Sequence, residues 1–87
     1  MKIKDGFILR VVAGTNLVVA VGERSKEYNR MIKLNDTGAF LWKLMERECT
    51  VDQLVDGLTR EYKVTREVAE YDVDAFVTAQ KGAGVLD

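Results

Sequence analysis

The chain opens with two dense apolar runs, Phe7 to Val12 and Leu17 to Val21, rich in β-branched residues and separated by Ala13-Gly14-Thr15-Asn16. That pattern predicts two strands joined as a β-hairpin. Both runs carry more apolar residues than a surface hairpin needs, so at least one strand is expected to be covered on both faces. Gly22 to Asn29 is polar and charged and reads as a loop. Met31 to Leu34 then predicts a short third strand, with Ile32 and Leu34 on one face and Met31 and Lys33 on the other.

Beyond Leu34 the apolar period changes from two to that of a helix. A first helix is predicted from about Asp36 to Arg47, with Asn35 as its N-cap. A second begins at Thr50, where Thr50 and Gln53 have the spacing of a capping box. Its apolar positions Val51, Leu54, Leu58 and Tyr62 recur at spacings of three and four, which is one helical face. A third runs from after Thr65 to about Lys81, with Gly82 and Gly84 as its stop. No proline interrupts any of them. Three strands followed by three helices, with a tight Lys63-Val64 turn between the last two, is the element order of an α+β domain of winged helix-turn-helix type.

The third helix carries two stripes. At 100° per residue, Ala69, Val73, Phe76, Val77 and Gln80 share one side and form the predicted core face. Val68, Asp72, Ala75 and Ala79 form a second stripe beside it, with Tyr71 at the edge, while Glu70, Asp74 and Lys81 face water. Small residues in the second stripe fit a shallow channel walled by Tyr71 and holding one negative charge at Asp72. The same spacing also fits the other half of a wide core contact.

Composition narrows the class. At 87 residues the chain is read as a single domain, residues 1–87, which buries only about 60–65% of its unfolded surface. Such a core supports a modest groove more readily than an enclosed active site. No apolar run approaches the roughly 18 residues of a membrane span. The start, Met1-Lys2-Ile3-Lys4-Asp5, lacks the apolar segment of a signal peptide. With a single cysteine, these features predict a cytoplasmic protein. Net charge near zero conceals a division. Residues 1–34 hold seven Lys/Arg against three Asp/Glu, and residues 35–87 hold six against eleven. The strand half is therefore positive and the helical half negative, which bears on partners and not on fold.

The residues that carry chemistry are scarce. Histidine is absent and cysteine occurs once, which removes the commonest general base and any thiolate cluster for zinc or iron–sulfur. The glycines are scattered and form no phosphate loop. Glu67/Glu70 and Asp72/Asp74 read as a solvated face and a helix rim, not as an acid–base pair. Cys49 precedes the capped helix, where the helix dipole would lower a thiol pKa. The simpler reading makes Cys49 (N′) and Leu54 (N4) a hydrophobic staple. Trp42 reads as core or rim packing. Nothing here describes an enzyme.

The ordered set Tyr28 to Trp42, with Leu34-Asn35-Asp36-Thr37-Gly38-Ala39 at its centre, followed by Thr50-Val51-Asp52-Gln53-Leu54 and Glu61-Tyr62, resembles the PqqD-like family. These are small peptide-binding modules also called RiPP recognition elements. The resemblance runs from about Ile8 to Leu86. It implies a protein without chemistry, metal or cofactor of its own, which holds the leader segment of a ribosomally made precursor peptide while a partner enzyme modifies the rest. A radical SAM maturase is the most familiar partner type; a leader peptidase or cyclase is an alternative. Pyrroloquinoline quinone synthesis is the pathway of PqqD itself, and the resemblance extends to the family's fold and motifs only.

In that family the leader adds an antiparallel strand to the third strand and lays its side chains against the third helix. Carried over, the edge is Arg30, Met31, Ile32, Lys33 and Leu34. The groove side is Val68, Tyr71, Asp72, Ala75 and Ala79. Arg30 and Lys33 would suit a leader with acidic residues. Gln80 and Ala83 depart from the larger apolar residues of many relatives, and Gly82-Ala83-Gly84 predicts a loosely packed last turn. Two other functions share the element order. A winged helix that binds DNA needs positive charge on its last helix, whereas residues 65–81 hold Arg66 and Lys81 against Glu67, Glu70, Asp72 and Asp74. A structural module that forms a homodimer through an exposed edge strand is the remaining alternative.

Overall fold

The computed structural model describes residues 1–87. Its strands are β1 (Phe7–Val12), β2 (Thr15–Ala20) and β3 (Ile32–Leu34), and its helices α1 (Arg24–Glu27), α2 (Asp36–Leu44), α3 (Val51–Tyr62) and α4 (Arg66–Ala83). The sheet is antiparallel in the order β1-β2-β3. This is the predicted α+β arrangement of strands followed by three main helices. The hairpin is tighter than the sequence suggests: Val12 pairs with Thr15, and Ala13 and Gly14 turn at φ 51° and 77°. Two successive positive-φ residues form the turn whose twist matches that of the flanking strands. Thr15 and Asn16 therefore belong to β2.

Phe7, Leu9, Val18, Ile32 and Leu34 face the helices and lie in or against the core cluster. Ile8 and Val12, which alternate with them, are exposed. The expectation of a strand covered on both faces thus fails for β1, whereas the central β2 has no exposed residue, its outward Leu17 and Val19 being half-buried. The polar Gly22 to Asn29 segment is not all loop either. It contains the single turn α1, where Arg24 donates from Nε to the Asp5 carbonyl at 3.0 Å and pairs with Glu27 at 3.0 Å. The Arg24 guanidinium also sits 5.7 Å from the Phe7 ring centre.

Each main helix starts where its cap predicts. Asn35 Oδ1 accepts from Gly38 N at 2.8 Å, Thr50 and Gln53 form the reciprocal capping box, and Thr65 accepts from Val68 N. Cys49 and Leu54 both lie in the core cluster, as a staple requires. The helix ends were less legible. α2 stops at Leu44 and not at Arg47, because the N-terminal segment takes over the backbone groups that would continue it. Ile3 N donates to the Met45 carbonyl at 2.8 Å, and Cys49 N donates to the Met1 carbonyl at 3.0 Å.

The expected looseness of the last turn is also not found. Gly84, at φ 75°, donates its N–H to Lys81 O, and Val85 N reaches Gln80 O at 3.3 Å. This pair of bonds is a Schellman closure, for which the left-handed glycine is suited. Val85 is fully buried, and Leu86 bridges to Ile3. The core gathers Leu41, Trp42, Met45, Leu54, Leu58, Ala69 and Val73, so Trp42 is core and not rim. No helix is long and apolar enough to cross a membrane.

Candidate functional site

β3 is an edge strand, since β2 lies on one side of it and no strand on the other. Its inner face presents Ile32 and Leu34, half-buried, and its outer face Lys33. The direction of its backbone groups follows from one side-chain bond. Leu34 O accepts from Asn16 Nδ2 at 3.2 Å, and Asn16 lies opposite it on β2. The Leu34 carbonyl therefore points toward β2. Peptide groups alternate along an extended strand, so the N–H and C=O of Lys33 point to the open edge. An unpaired edge of this kind is a template for one more strand.

Behind that edge a groove runs between β3, the start of α2 and the face of α4. It consists of two adjoining hollows, each about 330 Å³. Asn35, Gly38 and Phe76 line both. One end is closed by Thr37, Leu41, Asp72 and Ala75. The other is bounded by Ile32, Lys33, Leu34, Ala79, Gln80 and Ala83. Gly38 keeps the middle shallow and open: a Cβ there would stand 2.9 Å from Asn35 Oδ1 and 3.5 Å from Leu34 Cβ. A glycine in the first turn of a helix is disfavoured by propensity, so this close approach gives it a structural reason.

Six of the ten residues expected to form the site line this groove: Ile32, Lys33, Leu34, Asp72, Ala75 and Ala79. The other four stand outside its lining. Arg30 stacks over Tyr28, its guanidinium carbon 5.4 Å from the ring centre. Met31 precedes the strand and is 67% exposed. Val68, about one turn before Asp72, and Tyr71, directly beside it in the chain, are exposed, and Tyr71 at 76% walls nothing. The overhang follows from lengths. Three strand residues span about 10 Å, whereas Val68 to Ala79 spans roughly 16 Å of helix.

The sequence reading missed Asn35, Thr37, Gly38, Leu41, Phe76, Gln80 and Ala83 as groove residues. Asn35 had been assigned to a cap, and Phe76 and Gln80 to the core stripe; all three do both. The unexplained helix glycine was the available signal.

Electrostatically the groove is divided, with Lys33 at the β3 end and Asp72 at the other. No group of three or more His, Cys, Asp or Glu side chains is placed to hold a metal. Cys49 lies away from the groove, buried, and desolvation pushes its thiol above the ordinary range despite the adjacent helix start. Less thiolate forms at neutral pH as a result, which corrects the nucleophile reading. Iodoacetamide at pH 7.5 is expected to alkylate Cys49 at least about tenfold more slowly in the folded protein than in denaturant, because only the accessible thiolate reacts. Equal rates, read by intact mass, would overturn the staple assignment.

A family model described as coenzyme PQQ synthesis protein D (PqqD) matches residues 17–86. Among solved structures, TbiB1 in complex with the TbiA(beta) leader peptide is similar at TM-score 0.77 and 23% identity, covering 100% of this chain and 95% of that one. A lasso peptide synthetase B1 complexed with the leader peptide is similar at TM-score 0.73 and 24% identity, covering 97% and 93%. At these identities the likeness is one of fold. No curated protein matches the chain in sequence.

Proposed function

The chain belongs to the PqqD family, and on that premise we propose that it is a non-catalytic module that binds the leader segment of a ribosomally made precursor peptide. It presents that peptide to a modifying enzyme, and a radical SAM maturase is the partner type in best accord with the family. The leader lies extended along the open edge of β3 and places alternate side chains in the groove against α4. Main-chain bonds along the edge supply sequence-tolerant affinity, and the groove supplies specificity.

The observation that carries this reading is the conjunction of an unpaired strand edge with a continuous groove directly behind it. The two solved B1 proteins of the same fold, each recorded with a leader peptide, support it. Residues 1–87 act as one binding unit, in keeping with a core cluster that draws on both chain ends, Ile3 and Val85. DNA binding is disfavoured. Arg66, at the start of α4, is paired with Asp56 at 2.9 Å, and Glu67, Glu70 and Asp74 are exposed along the same helix.

Calorimetric titration with a synthetic leader of the cognate precursor peptide is expected to give a Kd of about 1 μM or tighter, near −8 kcal/mol, with no added metal or cofactor. Absence of a binding isotherm at about 100 μM peptide would defeat the proposal.

A further inference from the structure

Two buried side-chain polar atoms in this protein have no hydrogen-bond partner, Trp42 Nε1 and Gln80 Oε1. The indole of Trp42 is enclosed in the core and lines no cavity. Gln80 differs: it is 96% buried, since only 4% of its surface is exposed, yet it forms part of the groove wall beside Ile32, Leu34, Phe76 and Ala79. An amide oxygen withdrawn from water with no partner costs stability. An aliphatic side chain of similar volume would avoid that cost at the same position.

Asn35 and Lys33 both line the same hollow, yet neither donates a hydrogen bond to this oxygen. The Asn35 amide is held at the start of α2, where its Oδ1 accepts from Gly38 N and Thr37 Oγ1. We infer that Gln80 is a specificity-determining residue of the groove, and that its amide selects a leader whose side chain at this end is a carboxamide, Asn or Gln, over an aliphatic one. This rests on the reading that the groove takes an extended peptide.

The choice of a carboxamide follows from the two ends of the Gln80 side chain. One end accepts and the other donates, and the terminal torsion that exchanges them is soft. A carboxamide presents the complementary pair whichever way the Gln80 amide is turned, so both ends are satisfied at once. A hydroxyl satisfies one end. An aliphatic side chain satisfies neither and leaves the oxygen unpaired in the complex. An ammonium group would bring a positive charge beside Lys33 into a mostly apolar hollow. Sites built to hydrogen-bond a ligand discriminate strongly against analogues that lack the matching group.

The test is selection of a displayed library of random 12-residue peptides on the wild-type protein and on Gln80→Leu, with Gln80→Met as a second variant of similar volume in case the branched side chain packs poorly. Both variants are expected to melt at or above the wild-type temperature. The wild type is expected to enrich a motif with Asn or Gln at one fixed position, and both variants to exchange that position for Leu, Ile or Met while the rest of the motif is unchanged. In a selected peptide, changing that Asn or Gln to Leu is expected to weaken wild-type binding by at least about tenfold, roughly 1.4 kcal/mol, and to strengthen binding to the variants. The same motif on all three proteins would overturn the role of Gln80 and leave peptide binding intact. No enriched motif on any of them would overturn both.

Discussion

Lys33→Pro is expected to weaken leader binding about a hundredfold, roughly 2.8 kcal/mol, in a protein that melts within a few degrees of wild type. The N–H of Lys33 points to the open edge, because the neighbouring Leu34 carbonyl is turned toward Asn16 on β2. Removing that N–H costs the isolated fold no ladder bond, and proline is tolerated on an edge strand in this orientation. Its effect on the preceding residue is to favour the extended backbone that Ile32 already has. The cost appears only when a peptide strand docks. A peptide carbonyl is then buried unpaired, at about 1–3 kcal/mol, and the pyrrolidine ring stands where the strand must approach. Lys33→Gln, which removes the charge and keeps the N–H, is expected to cost no more than about fivefold, the upper range for an exposed ion pair. Calorimetry and thermal melting on both variants decide the matter. A folded Lys33→Pro protein that binds as wild type would show that the leader does not pair with β3.

Ala75→Leu is expected to lower leader affinity by at least about tenfold, or roughly 1.4 kcal/mol, through the opposite wall of the groove. Ala75 is exposed and lines the hollow that Asp72, Phe76 and Thr37 share. The larger side chain would enter space that peptide side chains otherwise use. Because Ala75 is not part of the core, the melting temperature should hardly move; surface substitutions of this kind usually fall within about 0.5 kcal/mol. Overpacking a core position would instead cost about 1–3 kcal/mol. A destabilised variant with normal leader affinity would therefore mean that the groove lies elsewhere.

Both predictions place function on features of very different legibility. The starts of the three main helices could be read from neighbours in sequence. Asn35 lies three residues before the N–H it caps, Thr50 and Gln53 satisfy each other, and Thr65 lies three residues before the N–H of Val68. The core face of α4 was also readable, because helical periodicity alone aligns Ala69, Val73 and Val77, and all three are buried. Such signals act over a few residues, so a single sequence contains them in full.

The remaining decisions depend on contacts between distant segments. Periodicity assigned Val68, Asp72, Ala75 and Ala79 to one stripe but left open whether that stripe was core or channel. The position of α4 behind the short β3 decided it: Asp72, Ala75 and Ala79 line the groove, whereas Val68 overhangs into solvent. α2 ends early because Ile3, more than forty residues away, takes the Met45 carbonyl. The outer face of β1 is exposed at Ile8 and Val12, and that of β2 is half-buried at Leu17 and Val19, although these residues are as apolar as those of a buried strand. The sequence determined which residues share a face and where each main helix begins. Only the tertiary structure decided which faces meet, because Leu34 on β3 and Phe76, Ala79 and Gln80 on α4 are more than forty residues apart, and no local pattern records that they line one hollow.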